Sequence, residues 1–119
     1  TYSQCDDDLG TFTLDDSATK NTPNPVTVPC PDLKFHLAGV FGDQTHLNRL
    51  TVNVHVGPLP LWTEHHDINA DVSDDWTYDL KWAVPSIAPH GHYKITLSAD
   101  GSADGTKGTA MCVQADMDL

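Results

Sequence analysis

The chain predicts an all-β fold, an immunoglobulin-like β-sandwich of two antiparallel sheets. Three observations predict it. Apolar and polar residues alternate in short runs, most plainly in Leu50-Thr51-Val52-Asn53-Val54-His55-Val56, which puts every second side chain on one face of a sheet. Glycine, proline and aspartate close these runs at hairpin spacing. No segment carries the apolar period of an amphipathic helix.

The elements follow in order. Cys5-Asp6-Asp7-Asp8 is an acidic lead-in to a short strand around Thr11–Leu14. Asn21-Thr22-Pro23-Asn24-Pro25 reads as a turn or an extended edge, because two prolines remove donors that a central strand needs. Leu33–Phe41 is a strand with Leu33, Phe35 and Leu37 set against Lys34, His36 and Ala38. Phe41-Gly42-Asp43-Gln44 predicts a turn, and Leu47–Val56 is the clearest strand. Gly57-Pro58-Leu59-Pro60-Leu61-Trp62 predicts a break in the ladder that stays apolar, and Thr63–Asp75 predicts a polar loop. Alternation resumes over Trp76–Val84, with Trp76, Tyr78, Leu80, Trp82 and Val84 on one face. Pro85–Gly91 is a second apolar loop, rich in proline. His92–Ala99 turns Tyr93, Ile95 and Leu97 inward, and Asp100–Gly108 is a hairpin loop. Thr109–Leu119 sets Met111, Val113, Ala115 and Met117 against Cys112, Gln114, Asp116 and Asp118. The sum is six or seven strands in a single domain spanning residues 1–119.

Composition narrows the function. At 119 residues there is room for one core. Seventeen acids against six Lys and Arg give a formal charge of −11. Nucleic acid is thereby excluded as a partner for want of a basic footprint, and attraction to an anionic membrane is opposed at neutral pH. The acids are aspartates apart from Glu64, and aspartate favours turns and caps over helix interiors. Protonating all seven histidines would take −11 to −4, so acidic pH is expected to promote contact with a membrane. No apolar run reaches the length of a membrane span. The polar start, Thr1-Tyr2-Ser3-Gln4, lacks a signal-peptide pattern and a methionine, which suggests a processed product.

Three cysteines, Cys5, Cys30 and Cys112, permit three ways of forming one disulfide with one thiol left over. His55, His65, His66, Asp67, His90 and His92 are of the type that zinc and copper favour. His65 and His66 alternate to opposite faces, however, and no His-Glu-x-x-His or paired Cys-x-x-Cys is present. They read as surface histidines, with no metal and no other cofactor expected. Asp100-Gly101-Ser102-Ala103-Asp104-Gly105 lacks a full series of calcium ligands. No Gly-x-Ser-x-Gly elbow, phosphate-cradling glycine loop or nucleophile beside an evident base occurs, so the expected protein is not an enzyme.

Several features recur in order along nearly the whole chain. They are Cys5, the segment Pro23-Asn24-Pro25-Val26, a strand ending in Gly39-Val40-Phe41, and Leu50–Val56 running into Gly57–Trp62. Then come Val84-Pro85-Ser86-Ile87-Ala88-Pro89-His90-Gly91-His92-Tyr93, a loop with Asp100-Gly101, and a last strand bearing Cys112-Val113. In this order and spacing the chain resembles the ML lipid-recognition domains. The resemblance implies a hydrophobic cavity between the two sheets that holds one lipid. It also implies a Cys5–Cys112 disulfide, a mouth between Leu61 and Trp62 on one side and Ile87 and His90 on the other, and Val113 as a lining residue. Joined to the strand alternation, the expected lipid-binding set is Phe35, Leu37, Val52, Val54, Leu61, Trp62, Tyr78, Leu80, Trp82, Ile87, His90, Ile95, Leu97 and Val113. A dry wall suits such a ligand, since each buried methylene stabilises it by about 0.8 kcal/mol. The chain departs from the family in lacking two further disulfides: Cys30 has no nearby partner and Thr63–Asp75 has no cysteine.

The function so implied is to bind a single sterol, phospholipid or fatty acyl chain and carry or transfer it without catalysis. The expected partners are the lipid and, transiently, a membrane or a lipid-transfer protein, with the chain itself a monomer. The expected location is secreted, or the lumen of an acidic endolysosomal or vacuolar compartment. The alternative is a non-enzymatic interaction module with a filled core that binds protein or carbohydrate through its loops. A third possibility is metal sequestration by the histidines.

Overall fold

A computed structural model of the chain describes residues 2–23, 26, 30–84 and 87–119. Asn24 and Pro25 of the early motif, Pro85 and Ser86 of the later one, and the side chain of Cys30 lie outside that description. Among the described residues there are seven strands and no helix. They are β1 (Tyr2–Gln4), β2 (Phe12–Leu14), β3 (Lys20–Thr22), β4 (Cys30–Val56), β5 (Leu59–Val84), β6 (His92–Ala103) and β7 (Thr106–Asp118). All pairings are antiparallel.

One long hairpin builds both layers. β4 has 27 residues and would span about 90 Å if straight, yet the longest dimension of the molecule is 44 Å. The hairpin must therefore fold back on itself. It does so where the β4–β5 register shifts between Phe41 and Thr45, opposite Asp74 with its positive φ of 56°. The first layer comprises β2 and β3, residues 30–41 of β4 and residues 74–84 of β5. The second runs β1, β7, β6, residues 45–56 of β4 and residues 59–72 of β5. The result is a nearly closed, barrel-like antiparallel sandwich.

Its two sides close differently. On one side the Gln4 side chain bridges β1 to β2: its Nε2 donates to the Phe12 carbonyl at 2.7 Å, and its Oε1 accepts from the Leu14 amide at 2.9 Å. Burial pushes the Tyr2 phenol up to about 12, and the hydroxyl donates to Asn21 Oδ1 at 2.5 Å. The other side is bounded by β5, which pairs with β4 and with no further strand among the described residues.

Packing explains why these residues hold the fold. Leu33, Phe35 and Leu37 of the first layer and Leu50, Val52, Val54, Tyr93, Ile95, Leu97 and Val113 of the second form one buried cluster. The fold-back end is filled by rings. Phe12, Phe41 and Trp76 lie with centroids 5.1–6.2 Å apart in tilted and edge-on contacts, and Tyr78 stacks on Trp76 at 5.9 Å. Gly101 is required by close approach, since a Cβ there would meet the His46 carbonyl oxygen. Cys5 and Cys112 form a disulfide that ties β7 to the lead-in after β1 across 107 positions.

The structure corrects several sequence-based expectations. Phe41–Gln44 is not a turn, because the chain bends within a continuous strand. Thr63–Asp75 is not a loop: residues 63–72 pair with β4 from Asn53 back to Thr45. A ladder is made by backbone groups, so a polar stretch is carried as a strand when an apolar partner sets its register. Gly57–Trp62 does not break the ladder, since Gly57 and Pro58 alone make a hairpin turn between Val56 and Leu59. The loop at Asp100–Gly108 contracts to Asp104-Gly105, whose φ values of 51° and 76° fit a two-residue hairpin turn. Ala38, expected outward, is buried because Thr19 covers it, its hydroxyl accepting from the Ala38 amide at 3.1 Å.

Candidate functional site

Both ends of the folded hairpin lie at one end of the sandwich. Val84 pairs with Cys30 in the first layer, while Val56 pairs with both Leu59 and Tyr93 in the second. The short connection from Val84 to His92 must join these two places, so it brings the proline-bearing segment to the hairpin tip. The Tyr93 hydroxyl donates to the Pro89 carbonyl at 2.5 Å, and the Gly91 amide donates to the Leu119 carbonyl at 2.9 Å, which hold the segment down.

Three large apolar side chains of these segments face solvent. Ile87 is 91% exposed, Leu59 59% and Trp62 47%. Leu61 is half-buried and His90 exposed. Of the expected mouth residues, Trp62 and Ile87 thus stand out as uncovered hydrophobes, and Leu59 joins them. Leu59 was legible as an apolar residue beside the turn, but alternation gave it no face.

The expected lining residues Phe35, Leu37, Val52, Val54, Leu80, Trp82, Ile95, Leu97 and Val113 are all buried in the common core, and Tyr78 is half-buried. Val54, Ile95, Leu97 and Val113 are at 0% exposure, so no water-sized space opens beside them. The cavity between the layers is closed at these residues in this conformation.

Register turns inward two residues, Glu64 and His66, that the sequence did not place on the core side, His66 having read as a surface histidine. Glu64 lies opposite Val52 and His66 opposite Leu50. Directly opposed residues of a ladder share a face, so both project to the core side. His66 Nε2 meets Glu64 Oε1 at 3.2 Å, and both side chains are about one-third exposed or less. An ionisable pair thus occupies the inner face of β5 on the unclasped side, followed by Ile68, Ala70 and Val72. The period-two run from Trp62 to Val72 was the available signal, masked by its polar members.

Three further histidines, His36, His46 and His92, engage carboxylates on the outer surface, while His65 Nδ1 lies 3.0 Å from the Thr51 hydroxyl. His36 Nδ1 lies 2.6 Å from Asp79. His46 has Asp71 at 2.8 Å from Nδ1 and Asn69 Oδ1 at 3.1 Å from Nε2. His92 has Asp118 at 2.9 Å from Nδ1 and Asp116 at 3.1 Å from Nε2. A ring flanked by two acceptors needs two N–H groups, which is the imidazolium. Hydrogen bonding to Asp71 accordingly raises His46, and hydrogen bonding to Asp118 and then Asp116 raises His92. Asp116 is lowered, first by Gln114 and further by His92. Among the described residues no group of three or more His, Cys, Asp or Glu is placed to hold a metal ion.

A pH dependence follows with a definite sign. A histidine raised on folding contributes stability below its unfolded value of about 6.5, and the contribution is lost as pH rises through the higher folded value. Wild-type protein is expected to melt at higher temperature near about pH 6 than near about pH 8. His46→Gln/His92→Gln should flatten that slope, and thermal melts across this window check it. The lowered Asp116 acts at the acid end and does not interfere.

The class of protein is thus defined by its frame: an all-β antiparallel sandwich folded from one hairpin, stapled by a disulfide and open along β5. Among the described residues no helix is long and apolar enough to cross a membrane. Compared with known proteins, the sequence matches no family model and no curated protein.

Proposed function

We propose that this protein binds one hydrophobic lipid between its two layers and carries or transfers it, without catalysis. The observation that carries the reading is the group of uncovered side chains Leu59, Trp62 and Ile87 at the end where the hairpin tip meets the proline-bearing segment. Large hydrophobes grouped in this way expose area that water disfavours and that a lipid or membrane would cover. Behind them lies a large apolar core, interrupted at the β5 side by Glu64 and His66, and apolar walls are what an acyl chain or sterol needs. The ligand gains its volume by parting of the layers, a motion that the unpaired edge of β5 permits. The Cys5–Cys112 disulfide fits an oxidising environment, so we place the protein outside the cell or in a lumenal compartment, acting as a monomer with a membrane or lipid-transfer protein as transient partner.

Native mass spectrometry of the purified chain should detect a co-isolated lipid, and a fluorescent lipid probe should be competed away by it. Trp62→Ser/Ile87→Ser is expected to slow probe uptake by about tenfold or more while stability moves by no more than about 0.5 kcal/mol, as is usual for exposed positions. Absence of lipid and of probe binding would overturn the reading in favour of an interaction module. That alternative has its own support in a polar 510 Å³ recess lined by Asn48, Arg49, Thr51, His65, Asp67, Asn69 and Asp100, a surface suited to carbohydrate or protein.

A further inference from the structure

On the outer face of the first layer, away from the interior, lies a 540 Å³ recess lined by Lys20, Thr22, Lys34, His36, Asp79 and Lys81 over the backbones of Phe35 and Leu80. Register makes this a grid. Thr22, Lys34 and Lys81 stand side by side across β3, β4 and β5, and Lys20, His36 and Asp79 form the next row. Three of the chain's six basic residues therefore meet at one spot of a protein whose formal charge is −11.

Two features make the arrangement unlike a solvated face. Lys34 is directly opposite Lys81, with Cβ atoms about 5 Å apart, a placement of like charges that destabilises a sheet. The nearest carboxylate in the recess is already engaged, since Asp79 is held by His36 at 2.6 Å. Among the described residues none of the three lysines forms an ion pair. Among the described residues Asp79 is the one carboxylate lining a recess with three lysines, and neither facing lysine pairs with an acid, which leaves positive charge for an anion from outside.

We propose that the recess is an oxyanion site that takes a phosphate or sulfate group. Lys34 and Lys81 flank the anion, Lys20 reaches it from the diagonal position on β3, and the Thr22 hydroxyl supplies a neutral donor. His36 Nδ1 holds the Asp79 carboxylate at 2.6 Å in the neighbouring row. The site lies on the opposite face of the sheet from the interior and does not depend on lipid being held there.

Amide NMR during titration with inorganic phosphate or sulfate tests this, against chloride at matched ionic strength. Saturable shifts at residues 20–22, 34–36 and 79–81 with the oxyanions alone are expected. Lys34→Gln/Lys81→Gln should weaken them by about tenfold or more, the scale of lost charge-assisted hydrogen bonds. That variant should fold at least as stably as wild type, because it relieves the Lys–Lys opposition. Co-sedimentation with phosphatidylglycerol vesicles, against phosphatidylcholine, separates the sources. Retention of wild type but not of the variant identifies a lipid headgroup, while oxyanion shifts without vesicle retention identify a free anion. Shifts no larger than with chloride, together with equal vesicle behaviour of wild type and variant, would overturn the proposal.

Discussion

Replacing both Cys5 and Cys112 by alanine is expected to lower stability by about 2–5 kcal/mol, the largest single loss available at the edge of this fold. The bond spans 107 positions and so restricts almost the entire unfolded chain. In the chain-entropy picture a loop of that size is worth roughly 4.7 kcal/mol. The native side adds to the loss. β1 has three residues and pairs with β7 alone, from Tyr2↔Ala115 to Gln4↔Val113, and the Cys5 amide donates to the Cys112 carbonyl at 3.0 Å. Without the covalent tie that strand frays, and Gln4 withdraws from the Phe12 and Leu14 backbone that it clasps. Urea unfolding of wild type with and without reductant, beside the double variant, measures the effect. Reduced wild type and variant should agree, and a change below about 1 kcal/mol would show that the clasp holds on its own.

What the sequence revealed and what it hid divide along physical lines. Where one face is buried and the other wet, as in Leu50–Val56 or Tyr93–Leu97, alternation reads directly as a strand and as its inner side chains. The residues expected on the inner faces were found buried for this reason, Tyr78 being half-buried. Residues 63–72 of β5 were hidden because neither of their faces is fully dry: Glu64 and His66 point inward at an unclasped edge, where partial solvation tolerates them. Their strand character is imposed by pairing with β4, a non-local cause that no window of residues contains. The fold-back at Phe41–Thr45 was hidden likewise, since glycine and aspartate signal a bend without telling a hairpin turn from a kink in an unbroken strand. The exposed side chains Trp62 and Ile87 were legible as apolar residues where polar ones are expected. The lysine recess was not, since Lys20, Lys34 and Lys81 come together only through the register of three strands.

Phe41→Ala is expected to cost about 3–5 kcal/mol, as removal of a fully buried ring generally does. Phe41 is 0% exposed and sits where β4 passes from one layer to the other. Its ring lies 5.1 Å from Phe12 and 5.6 Å from Trp76, so its loss leaves a void lined by two other rings that are held on separate strands, β2 and β5. Phe41→Leu keeps most of the volume and should cost clearly less, which separates packing from any effect on the bend itself. A double-mutant cycle with Trp76→Ala should show coupling of about 0.5–1.5 kcal/mol, the value of an aromatic contact beyond its buried area. Chemical denaturation at fixed pH gives all four corners of that cycle. The contrast with Ile87 carries the functional point. Both are large hydrophobes close to a reversal of the chain, yet one closes the fold-back end and the other stands in solvent at the opposite end. The proposed lipid uptake rests on this asymmetry: packing holds the fold-back end, and the layers would part from the other. Equal stability losses at Phe41 and Ile87 would contradict that division of labour.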